Sequence, residues 1–124
     1  MNIGFAAAGL IASATWTVHT FVGGREVARP LLAAGELPPA SKWLNYYCWH
    51  ITTILIAAMA GVFAAAAVGR MSVDSAALMT ILAASFSLLS ASVAMKGRIA
   101  PLRFPSTSLF ALIALGGAWG LVSG

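Results

Sequence analysis

The chain is poor in charge: only 8% of its 124 residues are Asp, Glu, Lys or Arg, against about a quarter in a typical soluble domain. That shortage argues against a water-soluble globular fold. The single cysteine, Cys48, excludes an intramolecular disulfide. Only three residues are acidic, Glu26, Glu36 and Asp74, and none falls within an apolar run. Coupling to protons or cations through an intramembrane carboxylate therefore lacks its usual group. No nucleophile stands beside a base and an orienting carboxylate, so no catalytic constellation is visible. Gly23-Gly24 closes an apolar run and is not a phosphate-binding loop. The net charge of +4 comes from scattered residues that make no basic stripe, so nucleic acid is not an expected partner.

What the chain has instead is apolar length. Charges are missing from residues 1–24, 43–69, 75–95 and 104–124, and a helix needs about 20 apolar residues to cross the hydrocarbon core. The expected fold is an all-α integral membrane protein, a single domain over 1–124 with four transmembrane helices packed as a small bundle and spans at about 3–23, 44–69, 75–95 and 104–123. The first run has no Lys or Arg ahead of it, as a secretory leader would. It reads as a retained span.

Charge placement sets an orientation. The stretch 25–42 holds Arg25, Arg29 and Lys42, and 96–103 holds Lys96, Arg98 and Arg103, whereas 70–74 holds only Arg70. By the positive-inside rule the first and third connections are cytoplasmic and both termini are outside. Ser41 is expected to cap the second span, Ser72 or Asp74 the third, and Pro105 to open the fourth. Pro30 is expected to break a short interfacial helix in the first connection. Trp43, Tyr46, Tyr47, Trp49 and Phe104 read as anchors at one boundary, Phe5 and Trp119 at the other.

Helices in lipid associate through small residues. The expected contact stripes are Ala8, Ala12, Thr15 and His19 in span one, and Ala57, Gly61 and Ala65 in span two. Span three offers Ala84, Leu88 and Ser92, and span four Ala114, Gly116, Gly117 and Gly120. Cys48, with Leu44, Thr52 and Leu55, falls on the opposite side of span two and should face lipid.

Both histidines lie inside spans, His19 late in the first and His50 early in the second. Ionisable groups at such depth face the interior and have partners. His19 and His50 are thus the candidate site, as ligands of haem b or of a copper or zinc ion. Set against this, each ring donates one hydrogen bond to a Thr, a Tyr or a backbone carbonyl and locks the helices together. Cys48, two residues from His50 on a helix, points about 200° away and does not chelate with it. Met95 would supply a thioether for copper.

Three functional classes follow. The leading expectation is a structural or accessory subunit of a membrane assembly, partnered by lipid and by another membrane protein or further copies of itself. A haem- or metal-binding protein and a small carrier or channel are the alternatives. The Ala- and Gly-rich spans suggest a bacterial inner membrane.

Overall fold

The computed structural model describes residues 1–123, and four long helices account for most of them. Helix α1 covers Ile3–Ala33, α2 Pro39–Ala67, α3 Val73–Lys96 and α4 Pro105–Val122. All four are long and apolar enough to cross a membrane, and no strand occurs among the described residues. A short 3-10 turn, Pro101–Arg103, leads into α4.

Helix α1 runs further than its sequence suggests. It is α-helical over Ile3–Thr17, π-helical over Val18–Ala28 and α-helical again over Arg29–Ala33. The Arg29 N–H bonds the carbonyl of Gly24, five residues back. Pro30 does not break the helix. It occupies the first turn of the α-helical piece that follows the π stretch, where a missing N–H costs least.

Caps follow local chemistry with one correction. Ser72 Oγ accepts the Ser75 N–H at 3.2 Å and starts α3, and Pro105 opens α4. Helix α2, however, starts at Pro39 behind Pro38, so Ser41 lies inside the helix and caps nothing. Two proline rings that fix φ near the helical value begin the helix before a hydroxyl is needed.

The order in space is α2–α1–α4–α3, with α2 and α3 only touching. Backbone approach is closest between α1 and α4. A methyl group placed on Gly4 would fall on the backbone of Gly120, and one on Gly120 would fall on the Phe5 ring. One on Gly116 would come within 3.1 Å of the Ala8 nitrogen. Such small-residue crossings allow dispersion between backbones, the main attraction available to helices in lipid.

Asn2 ties three helix ends together. Its Oδ1 accepts the Phe5 N–H at 3.0 Å as an N-cap, and its Nδ2 donates to the Gly120 carbonyl at 2.8 Å. Its own N–H donates to the Ala67 carbonyl at 2.9 Å. At the other end, Ser90 Oγ meets Ser106 Oγ at 2.7 Å and Thr107 Oγ1 at 2.8 Å, while Ser87 Oγ donates to the Thr107 carbonyl. These ties put the start of α1 and the ends of α2 and α4 at one pole. The six basic residues of 25–42 and 96–103 gather at the opposite pole.

Two of the expected contact stripes are rotated. Helix α2 buries Ile56, Met59, Phe63 and Ala67, while Ala57 is exposed and a methyl group placed on Gly61 would meet nothing within 4 Å. Helix α3 buries Ala76, Thr80, Ala83, Ser90 and Ala94, and Leu88 is 71% exposed. The reason is complementarity of size. Small residues of α1 and α4 leave hollows that large side chains of α2 fill: the Phe63 ring lies 3.1 Å from a methyl position on Gly117. Phe5 is likewise core, 3% exposed, rather than a boundary anchor. The stripes of α1 and α4 stand as expected, with Ala8, Ala12 and Thr15 buried and Gly116, Gly117 and Gly120 buried.

Candidate functional site

The π-helical part of α1 lies against the first half of α2, and polar side chains of both helices meet there. The imidazole of His19 stacks on the indole of Trp49, with ring centroids 3.9 Å apart and planes at 17°. Its Nε2 lies 3.1 Å from Thr53 Oγ1 and 3.4 Å from the Trp49 carbonyl. The Thr53 hydroxyl itself donates to that carbonyl at 3.1 Å. A carbonyl only accepts, so the arrangement that satisfies all three atoms has Nε2 protonated and donating. Gly23 makes room for the same indole, since a methyl there would lie 2.6 Å from its ring edge. Trp49 is thus wedged against α1 by His19 and Gly23. The anchor expected from composition is a packing element.

His50 has a different setting. It is exposed, lies edge-on to Tyr46 with centroids 4.6 Å apart, and borders an open cavity of about 530 Å³. It does not face the bundle interior as its small-residue neighbours suggested, because α2 is rotated to bury Ile56 and Met59. The two histidines therefore sit on the same pair of helices with separate partners. Trp49, rather than His50, is the ring against His19. Cys48 is exposed on the side away from α1, as its stripe implied, and Met95 is 61% exposed. No group of three His, Cys, Asp or Glu side chains converges among the described residues.

The cavity beside His50 has a clear chemical character. One wall is the π-helical stretch and the turn after it, contributing Thr20, Arg25 and Arg29; the facing wall is α2, contributing Tyr46, His50 and Thr53. Phe21, Ala28, Leu32 and Trp49 supply apolar surface. No acidic side chain lines it, Glu26 beside Arg25 included. Every polar side chain here offers a hydrogen-bond donor, and two carry a fixed positive charge.

Thr20 is the atom out of place. Several other threonines within these helices bond the carbonyl four residues back, as Thr15 does to Ile11, Thr52 to Cys48 and Thr80 to Ala76. The Thr20 Oγ1 is buried with no partner. Thr20 lies in the π-helical stretch, and π segments often mark functional positions. Sequence reasoning missed Thr20, Arg25, Arg29, Tyr46 and Trp49 as one group. Spacing held the signal: Arg25 and Arg29, Tyr46 and His50, and Trp49 and Thr53 are three pairs four residues apart, each on one helix face. No protein-family model, curated protein or solved structure matches this chain.

Proposed function

We propose that the chain is a multi-pass protein of a bacterial inner membrane that serves as a structural or accessory subunit of a membrane assembly. Six basic residues at one pole against Arg70 at the other support insertion with that pole in the cytoplasm and both termini outside. The observation that carries the subunit role is the outward face of α2. Ala57, Ala58 and Gly61 are exposed there, and a methyl group on Gly61 would have no neighbour within 4 Å. In lipid, an unoccupied small-residue face is where another transmembrane helix approaches most closely. The partner is a second copy or a different membrane protein. The test is in-membrane crosslinking from a single cysteine, Gly61→Cys in a Cys48→Ala background, with blue-native electrophoresis of Gly61→Leu. A discrete crosslinked species lost in Gly61→Leu supports the role. A monomer with no crosslink in native membranes removes it.

In the haem or metal reading with His19 and His50 as ligands, His19 would ligate through Nδ1 and keep its Nε2 bond to Thr53, or ligate through Nε2 and give that bond up. A visible spectrum and metal analysis of the purified protein separate the two: a Soret band or near-stoichiometric copper or zinc, lost in both His19→Ala and His50→Ala, would establish it.

A further inference from the structure

We propose that the cavity between the π-helical part of α1 and the start of α2 binds the phosphate group of an anionic phospholipid. The inference rests on the reading that the chain spans a membrane with its basic pole at the interface. It does not depend on the subunit role.

Four observations converge. The first is chemistry: Arg25 and Arg29 lie one turn apart on the wall, and a guanidinium fork matches phosphate oxygens in pairs. Tyr46 and His50 face them from α2 with further donors, and with no carboxylate in the wall, an anion meets no opposing charge. The second is Thr20, whose buried hydroxyl lacks a partner and belongs to this wall. A buried polar atom left unpaired is costly; the Thr20 oxygen is closed off from the open cavity as it stands, and a rotation of the side chain toward the cavity would bring it to a phosphate oxygen. The third is size: about 530 Å³ falls within the range of roughly 300–1,000 Å³ typical of small-molecule sites.

The fourth is position. All lining residues belong to α1 and α2, the pair at one edge of the α2–α1–α4–α3 row, so the cavity lies on the flank of the bundle. Phe21, 63% exposed, and Leu32 give it an apolar border suited to the glycerol and acyl chains that follow a lipid phosphate. A free phosphate ion would have no use for that border. Basic recesses between helices at the cytoplasmic face are a known setting for lipid headgroups.

The experiment uses the full chain in nanodiscs of equal parts phosphatidylglycerol and phosphatidylcholine, ejected for native mass spectrometry. The wild type should retain phosphatidylglycerol in preference to phosphatidylcholine. Arg25→Gln with Arg29→Gln should lower that retention by about tenfold or more, the scale of one lost charge-assisted hydrogen bond. Arg98→Gln with Arg103→Gln, which removes the same charge from the same pole outside the cavity, should lower it less than about twofold. Thr20→Val should reduce retention several-fold and Thr20→Ser should restore it; this pair carries the test if the arginine variant loses its helix content by circular dichroism. Inorganic phosphate at millimolar concentration should not displace the lipid. Equal loss in both arginine pairs, equal retention of the two lipids, or displacement by inorganic phosphate would each overturn the proposal. Alkaline carbonate extraction keeps the two readings apart. Release of the wild type into the soluble fraction defeats the membrane reading, whereas a membrane-retained protein without lipid preference defeats the site alone.

Discussion

Adding one methyl group at Gly4 should damage the bundle, while adding one at Gly61 should not. At Gly4 the new carbon would fall on the backbone of Gly120 and lie 2.9 Å from the Trp119 carbonyl carbon. Carbon atoms pack at about 3.5–4.0 Å, so α1 and α4 must part by roughly 1 Å along their crossing. A gap of that size forfeits a quarter to a half of each dispersion contact there. It also strains the Asn2 bond to Gly120. Backbone cannot rotate away as a side chain can, so Gly4→Ala should cost about 1–3 kcal/mol, the usual range for overpacking. That is about 5- to 150-fold in the folding equilibrium. Gly61 has open space in the isolated chain, and Gly61→Ala should stay within about 0.5 kcal/mol. The assay is reversible unfolding of the detergent-solubilised monomer by SDS, followed by far-UV circular dichroism. If Gly61→Ala destabilises the monomer as much as Gly4→Ala, the rotation assigned to α2 is wrong.

Other outcomes follow from the same contacts. Asn2→Ala should lose about 1–2 kcal/mol in the SDS titration, combining an N-cap with an interhelical bond; Asn2→Asp, which keeps the cap acceptor but loses the donor to Gly120, should fall between. Gly23→Ala should push the Trp49 indole off His19, read as a shift in tryptophan emission relative to the wild type, with Trp49→Phe as the reference that abolishes the change. Cys48→Ala should leave stability within about 0.5 kcal/mol in the same SDS titration, because the side chain is exposed. Ser90→Ala should cost about 0.5–1 kcal/mol by removing the hydroxyl that joins Ser106 and Thr107 across α3 and α4.

Four apolar runs were legible because charge is so costly in a span that its absence marks the run directly. Helix faces were legible only where one helix meets another backbone to backbone. The Ala8–Ala12–Thr15 stripe and the glycines of α4 qualify, because close approach demands small residues on both sides. On α2 the same signal misled: Phe63 and Met59 point inward to fill hollows that other helices leave, so the small stripe faces out. Helix α3 has small residues all round, and its sequence does not distinguish Ala83 from Ala84. The continuation of α1 through Arg25 and Pro30 was hidden, because charges and a proline are ordinary marks of a connection and π-helical hydrogen bonding has no sequence signature. That one feature hid the site. It turns Arg25, Arg29 and Thr20 toward α2, whereas the sequence drew attention to the two histidines alone. That His19 uses a threonine or carbonyl as partner was within reach of the sequence; its stacking on Trp49 was not.

Four crossings with the basic pole in the cytoplasm underlie both the proposed role and the proposed lipid site. Single cysteines introduced one at a time in the Cys48→Ala background, at Ala34, Ser72, Ile99 and Ser123, test this arrangement with a membrane-impermeant maleimide on intact cells. Cysteine at positions 72 and 123 should be labelled from outside, and cysteine at positions 34 and 99 only after the membrane is opened. Labelling of position 34 or 99 in intact cells, or protection of position 72 while position 123 is labelled, would contradict it.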